Sequence, residues 1–321
     1  MTAPSTESLT IESIESAQER IEPHVRRTPT VELQNVPKGE GVYAKFENQQ
    51  LTGAFKARGA VNSVLQMDPE ERANGILTAS TGNHAQGVSR AARVAGISAT
   101  VVMPETAPEP KVANCKRMGS DVVLHGEEYE EAVEKAHEIE REEGLNYISS
   151  FDDVAVIAGA GTVGLEILES VPDPAVIAVP IGGGGIISGV ATAIRARSPD
   201  TRVIGVQAAG ASTVIPAIEK GEIVELDSVD TIADGIALKR IGSVPFELIR
   251  QRVDEFVTVT DEEIREAMET LAHYENQIVE PAGAVGFAAL RSESIDHGTD
   301  EPAVAVITGG NVSMDLFRAV I

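Results

Sequence analysis

Cysteine is almost missing from this chain of 321 residues: Cys115 stands alone. One thiol makes no disulfide within the chain and no cysteine-based zinc cluster. Positive charge is also scarce, with 26 Lys and Arg against 50 Asp and Glu and a formal net charge of −24. Such a surface repels phosphate backbones and anionic membranes, which excludes nucleic acid and membrane surfaces as partners. Only 8 of the cations are lysines, and an acid-rich, lysine-poor composition is expected of a halophilic protein. No run of 18 apolar residues occurs, so no segment is expected to span a membrane. Met1 to Ser16 is acidic and lacks the basic and apolar regions of a signal peptide, so the expected location is cytoplasmic.

What is plentiful is glycine, at 29 residues, which implies tight turns and close backbone contacts. With 42% hydrophobic and 24% charged residues, the chain can bury a sizeable core, and its length fits one large or two modest domains.

Hydrophobic spacing of three and four predicts a helix over Thr10–Val25, through Ile11, Ile14, Ala17 and Ile21. Val42–Phe46 reads as a short strand. Strands are then expected at Gly75–Ala79, Ala99–Met103, Asp121–Leu124, Leu145–Ile148, Ala175–Ile181, Arg202–Val206, Val253–Val259 and Ala303–Thr308. Helical patterns at Ala85–Ala95, Tyr129–Glu142, Ile187–Arg197, Asp261–His273 and Ala282–Arg291 lie among them. The alternation predicts an α/β fold with mainly parallel open sheets flanked by helices. The acidic stretch Glu127–Glu143 reads as a solvated helix face.

Three segments carry candidate chemistry. Gly182-Gly183-Gly184-Gly185 follows a buried apolar strand and opens a helix. There, converging backbone N–H groups can hold a phosphate. It is not a dinucleotide fingerprint, because Ile187 and Ser188 stand where glycine would be needed and Gln207 ends the next strand. Neither is a P-loop pattern present. Lys56, in Thr52-Gly53-Ala54-Phe55-Lys56-Ala57-Arg58, sits at a loop-to-helix junction, where desolvation would lower its pKa and favour imine formation. Ser80-Thr81-Gly82-Asn83-His84 follows a strand and begins a helix, a turn suited to a carboxylate.

Together with Thr308-Gly309-Gly310-Asn311, Phe151-Asp152-Asp153, Ala233-Asp234-Gly235 and Glu280-Pro281-Ala282-Gly283, these segments resemble the fold-type II pyridoxal 5'-phosphate enzymes, and within them the threonine dehydratases and serine racemases. The resemblance runs from about His24 to Phe317. It implies a large domain of residues 1–73 and 149–321, with a smaller domain, 74–148, inserted. It implies that Lys56 carries pyridoxal phosphate as an imine and acts as the base at the substrate Cα. Phe55 would pack on the pyridine ring, Asn83 would bond its 3'-oxygen, and Gly182, Gly183, Gly184 and Gly185 would hold the phosphate. Thr308 would face the ring nitrogen and Glu280 would lie nearby. Ser80, Thr81, Gly82, Asn83 and His84 would bind the substrate carboxylate. The implied reaction is β-elimination from L-threonine, giving 2-oxobutanoate and ammonia, and from L-serine, giving pyruvate. Isoleucine biosynthesis is one destination of that product, and a homo-oligomer, dimer or tetramer, is the implied assembly.

Two departures bear on activity. Serine racemases place a Ser where this chain has Thr81, which keeps a hydroxyl and leaves serine or aspartate racemase activity as an alternative. A non-catalytic cofactor-binding protein is a more distant one. Metal-activated relatives carry a Glu and an Asp where Gln207 and Thr213 stand, beside Ala211, so no metal is expected. The chain stops soon after Gly310-Asn311, and a C-terminal regulatory domain is not expected.

Overall fold

The structure, a computed structural model, describes residues 9–37, 39–292, 294–296, 298 and 301–320. Its strands are β1 (Thr30–Glu32), β2 (Val42–Phe46), β3 (Ile76–Ala79), β4 (Ala99–Met103), β5 (Asp121–Leu124), β6 (Asn146–Tyr147), β7 (Val176–Pro180), β8 (Arg202–Ala208), β9 (Glu255–Val259) and β10 (Ala303–Ile307). They form two sheets. One is six-stranded, in the order β1-β2-β10-β7-β8-β9; the other is four-stranded, in the order β5-β4-β3-β6. Every pairing is parallel except β1 with β2. The expected α/β class with mainly parallel sheets is what the chain adopts.

The central strands β7 and β10 are buried along their whole length, which is why they read as continuous Val, Ile and Ala rather than as an alternating pattern. Helix Val154–Ser170 packs on helix Gly185–Arg197 through glycines. A β-carbon at Gly161 or Gly189 would press on the other's backbone, so small residues set the close approach there.

Several boundaries differ from the sequence pattern, each for a local reason. The first helix runs Ile11–Ile21, because Thr10 caps it in a reciprocal capping box with Ser13 and the helix ends two residues before Pro23. The strand expected at Val253–Val259 begins at Glu255. Val253 instead closes helix Ser243–Arg252, its amide donating to the Ile249 carbonyl. The strand expected at Leu145–Ile148 shrinks to Asn146–Tyr147, and the one expected at Ala303–Thr308 ends at Ile307. Conversely, helices expected from Ala85, Ile187 and Ala282 start earlier, at Asn83, Gly185 and Pro281. Residues of the polar and glycine motifs thus form the first helical turns. Strand β1 was not expected from the sequence. It is three residues long and is held only as an antiparallel edge on β2.

The C-terminal ends of β2, β3, β6, β7 and β10 lead into the segments singled out by sequence. In the six-stranded sheet the strand order reverses between β10 and β7, the place where open α/β sheets leave a crevice for a ligand.

Candidate active site

Lys56 opens helix Lys56–Gln66, and its Nζ donates to the carbonyl oxygen of Ser150 at 2.7 Å. The Phe55 ring centroid lies 5.1 Å from the same nitrogen. Burial pushes the amine down to about 8, against the opposing pull of the Glu280 carboxylate. At pH 7 roughly a tenth of an amine of that pKa is uncharged, far more than of an ordinary lysine, and that fraction can act as nucleophile and base.

On the same helix, Arg58 belongs to a buried charge cluster that the sequence reading passed over. Arg58 is fully buried and donates to both oxygens of Glu47 at 2.8 Å, and to Glu166 at 2.6 and 2.8 Å. Buried Lys45 donates to Glu166 at 2.5 Å and to the Thr28 carbonyl at 2.7 Å. Two cations face two carboxylates, so the cluster is neutral. Burial alone would protonate Glu47, but Arg58 holds its carboxyl below the usual range. The available signal was a Lys and a Glu flanking Phe46 at the end of an otherwise apolar strand in a lysine-poor chain.

From Gly182 to Ile187 the backbone amides find no acceptor among the described residues; the helix ladder begins at Ser188, whose amide donates to the Gly184 carbonyl. Gly184 has φ of +92°, a conformation that needs glycine. A β-carbon at Gly183 would fall inside the Phe151 ring, so Phe151 closes one side of the loop. Phe151 belongs to a strap that leaves β6. In this strap Asp152 accepts from the Ser243 and Val244 amides at 3.0 and 2.8 Å, and Asp153 caps the next helix through Val156.

In the loop after β3, Ser80 Oγ accepts from the Gly82 amide at 3.2 Å, while the amides of Asn83, His84 and Ala85 have no acceptor among the described residues. The His84 ring is buried, with Nε2 3.0 Å from the Ile148 carbonyl. A carbonyl only accepts, so Nε2 carries the proton and Nδ1 presents a lone pair. Burial holds the ring neutral, its pKa near 3. A neutral ring offering a lone pair does not attract a carboxylate, so His84 can serve an anion only through its backbone N–H. Asn83 donates to Glu280 at 2.6 Å and accepts from Asn311 at 2.7 Å. Burial raises the Glu280 carboxyl to about 7. Thr308 follows β10; its hydroxyl donates to the Ala282 carbonyl at 3.3 Å, and its carbonyl accepts from the Phe55 amide at 3.1 Å.

Away from this crevice, Gln207 donates to the Ala211 carbonyl at 3.2 Å and to Thr213 Oγ1 at 3.1 Å, and accepts from the Val214 amide at 2.8 Å. One neutral side chain thereby satisfies the polar groups of that turn. No group of three His, Cys, Asp or Glu residues suited to a metal ion occurs among the described residues.

The model of the pyridoxal-phosphate dependent enzyme family matches residues 21–309. The chain belongs to this family. It is 42% identical over 316 residues to an L-threonine ammonia-lyase of Thermotoga maritima, covering 98% of this chain and 78% of the relative. Among solved structures, it superposes on threonine deaminase isoform 2 from Solanum lycopersicum in its processed form with a TM-score of 0.92. The identity there is 33%, with 99% of this chain and 89% of the other covered. Maize serine racemase superposes with a TM-score of 0.91 at 35% identity, with 97% and 96% covered.

The residues present fit the family's cofactor. A run of unpaired amides at a helix N-terminus suits a phosphate, and a desolvated lysine suits an aldehyde. An aromatic ring adjoins that lysine. The residues that sequence reasoning left without a role are Ser150, Phe151, Asn311 and the Arg58 cluster. Of these, Phe151 and Asn311 lay within recognised motifs, whereas the Ser150 carbonyl had no signal, since a backbone oxygen has none in the sequence.

Proposed function

We propose that the chain is an L-threonine ammonia-lyase, converting L-threonine to 2-oxobutanoate and ammonia, and L-serine to pyruvate. The observation that carries this reading is the Lys56 amine held on the Ser150 carbonyl at 2.7 Å, next to Phe151, which walls the glycine loop whose amides from Gly182 to Ile187 are unpaired. The curated relatives named for threonine ammonia-lyase or dehydratase support it.

Pyridoxal phosphate supplies an electron sink for charge developing at the substrate Cα. The chain's own residues do the rest. The glycine-loop amides bind the phosphate, and Phe55 and Thr308 meet the ring. The amides of the Ser80–His84 turn bind the substrate carboxylate, Thr81 and Asn83 included. Lys56, freed as an amine, removes the Cα proton as general base, and the Ser150 carbonyl receives the resulting ammonium. The β-hydroxyl leaves with a proton as water, and the released enamine, as its imine tautomer, takes up one water to give the 2-oxo acid and ammonia. Thr308 would turn its hydroxyl from the Ala282 carbonyl to the ring nitrogen; a neutral donor in place of a carboxylate weakens the sink and favours prompt elimination.

We read residues 74–148, which hold the four-stranded sheet, as an inserted small domain whose movement closes the crevice. We also propose a halophilic, cytoplasmic enzyme that assembles as a homo-oligomer, dimer or tetramer, and feeds amino-acid metabolism, isoleucine biosynthesis included. The net charge of −24 predicts a melting temperature that climbs as the Debye length shrinks from about 10 Å at 0.1 M to about 3 Å at 1 M salt. A flat profile refutes the screening argument.

A second reading, serine racemase, draws on the Thr81 hydroxyl. One assay separates the two: pyruvate and D-serine are both measured from L-serine, and 2-oxobutanoate from L-threonine. Rapid 2-oxobutanoate release supports the lyase. D-serine forming faster than pyruvate, and vanishing in Thr81→Ala, overturns it.

A further inference from the structure

We infer that Asn311 is a positioning residue that fixes which edge of the Asn83 amide meets the cofactor. Three side chains form a chain of hydrogen bonds anchored at one end on a backbone carbonyl, which can only accept. At one end is the Thr52 carbonyl, which accepts from Asn311 Nδ2 at 2.8 Å. The same nitrogen donates to Asn83 Oδ1 at 2.7 Å, and Asn83 Nδ2 donates to Glu280 Oε1 at 2.6 Å. A carbonyl cannot donate, so Asn311 must turn its NH2 towards Thr52. That NH2 in turn demands the oxygen of Asn83, which leaves the Asn83 NH2 on the opposite edge.

Two further features build the chain in. Gly53, at φ +73°, has no side chain, and a β-carbon there would collide with the Asn311 amide oxygen. Glu280 lies buried against Gly309, where a β-carbon would overlap its carboxyl oxygen. The groups facing Glu280 are Asn83, Asp234, Lys111, the Asn311 backbone amide and the Lys56 amine; Lys111 and Asp234 pair at 3.5 Å. The chain also crosses between sheets, because Asn83 follows β3 of one whereas Asn311 and Glu280 adjoin β10 of the other.

The consequence rests on the cofactor reading above. With its oxygen committed to Asn311, Asn83 has one N–H left to offer and acts as a donor towards the cofactor's phenolic oxygen. A donor there stabilises the oxyanion and lowers the pH at which the bound cofactor's visible band titrates.

The test uses the full chain with Asn311→Leu, which keeps the shape and loses both donors, and Asn311→Ser, a smaller change that can serve only one acceptor. Folding is checked by circular dichroism. Pyridoxal phosphate is then titrated into stripped protein, and the visible band is followed against pH. The expected result for Asn311→Leu is weaker binding, about tenfold, and a band titrating about one pH unit higher, the size of one lost hydrogen bond. Asn311→Ser falls between this variant and wild type. Unchanged affinity and an unchanged band titration in either folded variant overturn the role of Asn311. Wild-type protein that takes up no pyridoxal phosphate overturns the cofactor reading itself, and the inference with it.

Discussion

Lys56 and Ser150 are 94 positions apart in sequence, yet the lysine Nζ donates to the serine carbonyl oxygen at 2.7 Å. The acceptor is backbone, so it cannot be removed by substitution at Ser150. It belongs to the same strap that carries Phe151 against the glycine loop and Asp152 onto the Ser243 and Val244 amides. The strap therefore holds the Lys56 amine and the wall of the glycine loop together.

Borohydride reduction of the pyridoxal phosphate-loaded protein is expected to leave the cofactor on Lys56 and on none of the other lysines. Lys56→Ala is expected to release no 2-oxobutanoate. Peptide mapping that finds the label elsewhere, or a variant with near wild-type turnover, rules out Lys56 as the attachment point.

Gly183→Ala is expected to weaken pyridoxal phosphate binding at least tenfold while leaving the fold intact. Its β-carbon points at the Phe151 ring and not at the amides, so the loss comes from displacing the strap. Combining it with Phe151→Leu, which makes room, should recover part of the affinity. No loss in the single variant, or no recovery in the double, contradicts that account.

Breaking the buried charge cluster should cost much more than any surface ion pair. Arg58→Met leaves Glu47 and Glu166 with only Lys45 and is expected to destabilise by about 3–5 kcal/mol. Urea denaturation measures it; a loss below about 1 kcal/mol would show that the two carboxylates find other partners or are not both charged.

Glu280 makes stability depend on pH. Its carboxyl is raised by burial from 4.5 to about 7 in the folded protein. The folded state thus holds the proton more tightly than the unfolded state. The resulting stabilisation is complete below about pH 4.5 and is lost as pH rises through about 7. Glu280→Gln, which cannot ionise, should melt higher than wild type at pH 8, with a smaller advantage at pH 5. Cofactor-free protein gives the cleanest reading; an identical difference at both pH values would remove burial as the cause.

Activity is expected to survive exhaustive EDTA treatment. Gln207 already satisfies the Ala211 carbonyl, Thr213 hydroxyl and Val214 amide, and none of these contributes a carboxylate. Loss of turnover on chelation, restored by a divalent cation, would place a metal where this geometry provides none.

The amino-acid sequence by itself determined the alternation of strands and helices, because parallel strands buried on both faces must be apolar throughout, and β7 and β10 are. It also determined the chemistry-bearing segments, because a helix that begins in glycines or in Ser-Thr-Gly-Asn has unpaired amides whatever surrounds it. Lys56 stood out for its junction position in a chain poor in lysine. Tertiary structure alone decided the rest. His84 lies in the same turn as Asn83, but only packing against Ile148 shows that its ring is neutral and offers a lone pair. Glu280 and Asn83 are 197 residues apart, and nothing local to either predicts their 2.6 Å contact. The neutral cluster of Lys45, Glu47, Arg58 and Glu166 is likewise assembled from distant segments. Charges read singly in sequence look like surface charges, and only burial, which is a property of the folded whole, makes their pairing obligatory.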